Sequence, residues 1–131
     1  MAYKINPLYN LDQPVGAGQP NRPDDVMLVQ FLLTEVAKRS PNWKGHPSAL
    51  AVDGKYTPAL TEWIKSVQAQ GSQAPDGIVH PQVNPHWKIV YTLASLNIAY
   101  RKYYGAAKHD GLPSDSSLPA ALRVALTKGV P

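Results

Sequence analysis

A chemical site needs a nucleophile, a base or a metal-ligand set within mutual reach. This 131-residue chain has no cysteine, which removes thiolate chemistry and disulfides together. Its two glutamates, Glu35 and Glu62, fall in separate stretches of helical spacing. Glycoside hydrolysis by paired carboxylates needs an acid of raised pKa beside a second carboxylate, and no loop offers that pair. The imidazoles of His46, His80, His86 and His109 are scattered. Asp76, His80 and His86 form the one conceivable metal set. Pro81 and Pro85 interrupt it, and no two ligands stand i, i+4 on a helix. The expectation is a protein without catalytic residues, metal or cofactor.

What the chain does repeat is a turn. Ala51-Val52-Asp53-Gly54-Lys55-Tyr56-Thr57-Pro58-Ala59-Leu60 returns as Ala74-Pro75-Asp76-Gly77-Ile78-Val79-His80-Pro81-Gln82-Val83. The copies lie 23 residues apart, Asp53 to Asp76 and Pro58 to Pro81, and such self-similarity precedes any local reading. Asp-Gly makes a turn because Gly accepts positive φ and Asp bonds the backbone ahead of it. Asp53 and Asp76 are therefore read as structural carboxylates. Tyr56 and Val79 follow as inward anchors. Pro58 and Pro81 suit a first helical position, with Thr57 and, more weakly, His80 before them as caps. A third segment, Tyr100-Arg101-Lys102-Tyr103-Tyr104, interleaves cations with aromatics as nucleic-acid binders do. Helical spacing splits it: Tyr100 and Tyr103 turn to the core, and Arg101, Lys102 and Tyr104 turn outward. The expectation is a helix end and no nucleic acid.

These residues need elements to carry them. Residues 1–23 hold Pro7, Pro14, Pro20 and Pro23 with Gly16 and Gly18, a density that forbids a helix. Ile5, Leu8, Tyr9 and Leu11 make this an extended arm docked on the domain. Val26, Val29, Leu33 and Val36, widened by Leu32, predict a helix over 24–39 capped by Asp24 or Asp25. Pro41 stops it. In the loop that follows, Trp43 is read as a ring on the core edge, with sugar stacking as its alternative. Leu60, Ile64 and Val67 predict a second helix over 58–70, ending at Gly71. Trp63 is offset from that stripe and faces either the first helix or a groove. Asn84-Pro85 opens a long helix to Tyr104 with two apolar faces, ended by Gly105. Ser117 is expected to cap a last helix over 118–128 that covers the second face of the long one. No strand of real length is expected, only a short ribbon near the turns.

Taken together, Asp-Gly-x-aromatic-x-Pro, a helix closing at Val67-Gln68, Gly71, Asp-Gly-Ile-Val-x-Pro and an earlier Val29-Gln30-x-x-Leu33 resemble the peptidoglycan-binding-like domain. That module is a small three-helix domain often attached to bacterial cell-wall hydrolases. The resemblance covers about Asp24 to Val83. It implies an all-α fold: a small helical bundle with a proline-rich N-terminal arm (1–23), a family-like core (24–83) and an added long helix plus C-terminal helix (84–131), in a single domain. It also implies a non-catalytic module whose shallow groove beside the two turns takes a peptidoglycan glycan or stem peptide. The contacts expected there are Tyr56, Thr57, Trp63, His80 and Trp87. The chain departs from the family at Thr57 and His80, where Gly is usual, at Leu60 and Val83, where Thr is usual, and at Val67, where Phe is. The altered Thr57 and His80 positions, the lack of a signal peptide, the extended helix and the proline-rich arm support an alternative, a protein-interaction or structural part of a phage or secretion machine. A targeting subunit of a separate hydrolase is the third reading.

Composition agrees with a packed domain. Hydrophobic residues make up 44% and charged residues 17%, against a typical quarter charged. The net charge of +4 is modest and comes without basic runs. The first seven residues contain no apolar signal core, so synthesis in the cytoplasm without a Sec signal is expected. A wall ligand would then be reached by lysis, by a non-Sec machine or on a phage particle.

Overall fold

The computed structural model describes residues 8–71, 73–81 and 92–127. Among the described residues, five α-helices follow the arm: α1 Pro23–Arg39, α2 Pro58–Gln70, α3 Thr92–Tyr104, α4 Ala106–Asp110 and α5 Ala120–Thr127, with a 3₁₀ turn at Leu112–Ser114 before α5. Among the described residues there is no strand, only an isolated antiparallel bridge between Val15 and Val79. None of the described helices is long and apolar enough to cross a membrane.

The core is built on α1. Val26, Leu28, Val29, Phe31, Leu32 and Leu33 are all buried, on every side of the helix. Such all-round burial needs neighbours on several faces, and α2, α3 and α5 supply them. Each fully buried Leu or Val there contributes roughly 1.5–3 kcal/mol over leaving it in water. α1 starts one residue before the expected position. Pro23 takes the first helical position and Arg22 the cap position, without a side-chain cap bond, since a proline there gives up no useful N–H. Asp25 does not cap. It is fully buried, and its carboxylate accepts the N–H groups of Asp12 at 3.0 Å and Gln13 at 3.1 Å.

The arm is docked as expected. Leu8, Tyr9, Leu11 and Val15 are buried; Ile5 lies outside the described residues. Val15 exchanges both backbone hydrogen bonds with Val79, at 3.0 and 2.8 Å. Helix α2 has the expected bounds, with one correction at each end. Thr57 holds the cap position in extended backbone, but its hydroxyl makes no cap bond. Gly71 closes the helix at φ −88°, so its freedom at positive φ is not used.

The C-terminal third departs more. α3 is described from Thr92, and the expected start at Asn84-Pro85, with Trp87, lies outside the described residues. Gly105 follows its end as expected. The expected loop 105–117 instead holds α4 and the 3₁₀ turn, because His109 and Leu112 are both fully buried. Ser117 does not cap α5: its N–H and hydroxyl both bond Asp115 Oδ1, at 3.0 and 2.6 Å. α5 begins after Pro119 and packs on α1 and the 3₁₀ turn instead of along α3, with Leu122, Ala125 and Leu126 buried.

Candidate functional site

Both Asp-Gly turns exist, and each is held by a glutamine. Gln30 is buried in α1. Its Oε1 accepts the N–H of Asp53 at 3.0 Å and of Gly54 at 2.8 Å. Its Nε2 donates to Asp53 Oδ1 at 3.2 Å and to the Lys55 carbonyl at 3.0 Å. Gln68, buried near the end of α2, repeats the device. Its Oε1 accepts Gly77 N–H at 2.9 Å, and its Nε2 donates to Asp76 Oδ1 and the Ile78 carbonyl, both at 3.0 Å. One primary amide, with two donors and two lone pairs, thus satisfies a whole turn. Each Asp also accepts the N–H two residues on: Lys55 at 2.9 Å and Ile78 at 3.0 Å. The Lys55 N–H, with help from Gln30, holds the Asp53 carboxyl below its ordinary pKa.

The glycines are needed at both places. Gly54 and Gly77 have φ of +77° and +73°. A Cβ on Gly54 would lie 2.8 Å from the Pro23 carbonyl oxygen, and one on Gly77 would lie 2.9 Å from Thr61 Cγ2.

The two turns meet across one face of α2. Tyr56, half-buried, shares a 2.6 Å hydrogen bond between its hydroxyl and that of Thr61, the residue on which Gly77 packs. Thr57 and His80 are exposed, Pro58 is exposed and Pro81 half-buried. Trp63 is elsewhere. Two residues along a helix is about 200° of rotation, so Trp63 leaves α2 opposite Thr61. The residue is 9% exposed, its Nε1 donates to the Ser48 carbonyl at 2.8 Å, and Trp43 meets its ring edge-on at 5.9 Å. The single groove expected beside both turns, with Tyr56, Thr57, Trp63 and His80 together, is divided by α2 itself. Trp87 lies outside the described residues. Trp43 is on the core edge, 6% exposed, its Nε1 bonded to Ser66 Oγ at 2.8 Å.

Trp63 does reach a surface. An open concavity of about 570 Å³ has Trp63, Leu50 and Val52 as apolar lining, with Glu35, Lys38 and Lys44 also around it. Glu35 pairs with Lys38 at 2.6 Å, which raises the lysine pKa. Lys44 Nζ donates to the Ser40 carbonyl. An ammonium has three donors, so both lysines keep capacity for a ligand. A second, smaller cleft of about 140 Å³ lies between α1, α2 and α3, bordered by Val36, Trp43, Val67, Leu96, Ala99 and Tyr103.

Two polar clusters were not read from the sequence. Asp12, Asp24 and Asp25 bring carboxylate oxygens within 4.8 Å of one another. The Arg22 guanidinium reaches all three, at 4.0, 3.6 and 3.9 Å, and offsets one of their charges. Around His109, the Tyr9 hydroxyl donates to the His109 carbonyl, Nδ1 lies 3.0 Å from Asp110 Oδ1, and Nε2 lies 3.2 Å from Asn97 Oδ1. Burial, then the Asp110 charge, pushes Tyr9 up to about 12. Burial lowers His109 despite Asp110. A buried histidine beside a docked tyrosine a hundred residues away leaves no local sequence signal. The Tyr100–Tyr104 segment is built into the fold. Tyr104 does not point outward as expected: it stacks on buried Tyr100 at 4.4 Å and donates to the Glu35 carbonyl at 2.9 Å. Arg39 lies 4.3 Å above its ring. Arg101 pairs with Asp110 at 2.6 Å.

Set against known proteins, the chain matches no family model, no curated protein and no solved structure.

Proposed function

We propose that this chain is a non-catalytic binding module that recognises bacterial cell-wall peptidoglycan. The carrying observation is the 570 Å³ concavity between α1, the loop holding Lys44 and the segment leading to the first Asp-Gly turn. Its apolar lining of Leu50, Val52 and the Trp63 edge suits N-acetyl methyls and sugar C–H surface. Lys38 and Lys44 against Glu35 leave one cation in excess, which suits a stem-peptide carboxylate. Such a site combines apolar area with a few placed polar groups, the usual make-up of a ligand pocket. The carboxylates of both turns accept hydrogen bonds from backbone N–H groups and glutamine amides, which supports a structural duty for Asp53 and Asp76.

The test is co-sedimentation with purified insoluble sacculi. Trp63 is a poor variant, because Trp→Ala at a buried site costs about 3–5 kcal/mol in stability. Val52, 37% exposed, and Lys44 are better. The wild type is expected in the pellet, and Val52→Asp/Lys44→Glu in the supernatant with unchanged circular dichroism. A wild type that stays in solution at low salt removes peptidoglycan as ligand.

One observation favours the alternative, a protein-interaction part of a phage or secretion machine. The 140 Å³ cleft is apolar and sized for about one aromatic or branched side chain. The described part of the arm does not add to it, since Leu8, Tyr9, Leu11 and Val15 are buried in the chain's own core. In that case Ala99→Trp, which fills the cleft, abolishes capture of the partner and leaves sacculus binding unchanged.

A further inference from the structure

The three charged groups bordering the open concavity, Glu35, Lys38 and Lys44, are not equivalent. Glu35 has both oxygens engaged: Oε2 pairs with Lys38 at 2.6 Å, and Oε1 lies 3.3 Å from the Tyr104 hydroxyl. Lys38 is therefore a neutralised cation, on a side chain 67% exposed. Lys44 differs. Its Nζ donates to the Ser40 carbonyl, a neutral acceptor, and among the described residues no carboxylate pairs with it. Its charge is unanswered, and two of its three donors remain.

The backbone on either side of Lys44 is pinned. Trp43, buried before it, donates its N–H to Ser40 Oγ at 3.1 Å and its Nε1 to Ser66 Oγ at 2.8 Å. The Ser66 hydroxyl in turn donates to the Gly45 carbonyl at 3.3 Å. Gly45 has φ of +88° and lies so close to the Trp63 ring that no Cβ would fit. Lys44 thus stands between two fixed residues, on the same concavity as Leu50, Val52 and Trp63. A group already held in place gives up less freedom on binding than a free surface lysine does. The sugar backbone of a wall polymer offers hydroxyls and acetamides, which carry no charge. A placed and unanswered cation suits the carboxylates of the peptide stems.

We propose that Lys44 reads a free carboxylate on a peptide stem, so that the module separates stems with an ionised carboxyl from stems in which that carboxyl is an amide. This rests on the peptidoglycan binding proposed for the concavity. The stem's apolar surface lies on Leu50, Val52 and the Trp63 edge, and its carboxylate accepts from Lys44 Nζ. Gly45 and Ser66 are positioning residues that act through Lys44. Glu35 works against recognition, because its charge occupies Lys38 and repels a second carboxylate.

The test is co-sedimentation of the full chain with purified sacculi, native or with their carboxylates converted to amides by carbodiimide and ammonia. The wild type is expected to bind amidated sacculi about fivefold more weakly, the upper end for one exposed ion pair. Lys44→Met should bind both walls alike, at the weaker level, and Lys44→Arg should recover the preference. Lys102→Met, the same loss of charge at a lysine that does not border the concavity, should keep it. Glu35→Gln frees Lys38 and should tighten binding to native sacculi at least about twofold. A lysine that serves only the end of α1 would change the unfolding midpoint and leave the preference alone. A wild type that binds native and amidated sacculi alike overturns the carboxylate inference and leaves peptidoglycan as the ligand. A preference that survives in Lys44→Met overturns the role of Lys44. A wild type that pellets with neither wall removes this inference and the peptidoglycan ligand together.

Discussion

The two Asp-Gly turns carry nearly the same local sequence and the same glutamine clamp, yet they meet different surroundings. The first hangs on Gln30, in the middle of α1. Its anchor Tyr56 stays half-buried, and the segment before it, Leu50 to Val52, borders the open concavity. The second hangs on Gln68, at the end of α2. Its anchor Val79 is fully buried and paired with the arm, and Gln68 Nε2 also reaches Thr92 Oγ1 of α3 at 3.2 Å. One device therefore serves two ends. At the first turn it stiffens the rim of a surface. At the second it joins the arm, α2 and α3. A repeated motif fixes local geometry and leaves exposure to whatever packs beside it.

The largest expected effects test the clamps. Gln30→Leu strands the buried N–H of Gly54 and Gln68→Leu that of Gly77, each with the turn carbonyl its amide served, and an unmet buried group costs about 1–3 kcal/mol. Each variant should lose about 3 kcal/mol in urea unfolding, with Gln68→Leu the worse because α3 loses a bond as well. If Gln30→Leu proves the more damaging, the second turn is not the joint described above.

The glycines come next, and they separate the turns by what blocks a Cβ. Both Gly→Ala changes carry the left-handed penalty, about 1–2 kcal/mol. At Gly54 the obstacle is the Pro23 carbonyl, which is backbone and cannot step aside. At Gly77 it is a threonine methyl and a lysine chain. Gly54→Ala should therefore cost about 3 kcal/mol and Gly77→Ala about 2, read as a difference in chemical-denaturation midpoint. Equal costs would mean that the rigidity of the first turn is overstated.

A smaller effect appears in acid. The folded-state pKa of Asp53 is depressed below 3.8. Its contribution is thus fully present above pH 3.8 and is lost as pH falls through the folded value. Asp53→Asn should flatten that part of the acid limb of the stability profile, and an unchanged limb would show that the Lys55 N–H and Gln30 bonds do not favour the ionised form. The smallest effect belongs to Thr57. A working helix cap is worth about 1 kcal/mol, but this hydroxyl makes no cap bond. Thr57→Ala should change stability by less than about 0.5 kcal/mol. A full cap-sized loss would place the hydroxyl on the helix end after all.

Much of the chain was legible without coordinates wherever the cause is local. Asp-Gly at 53–54 and 76–77 makes turns because glycine tolerates positive φ. Pro58 and the spacing of Leu60 and Ile64 set α2 at its observed bounds. The prolines of the arm exclude a helix, and Leu8, Tyr9 and Leu11 mark it for docking. What tertiary structure alone decided lies in partners far apart along the chain. Asp25 has the right type and place for a cap, yet it holds Asp12 and Gln13. Ser117 is the local exception, turned back to Asp115 two residues before it instead of capping α5. Trp63 and Thr61 sit two residues apart, and only the packing of α2 puts them on separate surfaces. Gln30 and Gln68 show no local reason to be buried, because the amide groups that satisfy them arrive from turns formed later in the chain. Tyr9 and His109 meet across a hundred residues. Local sequence determines which backbone shapes are affordable, whereas burial depends on which surfaces meet, and that is a property of the whole fold.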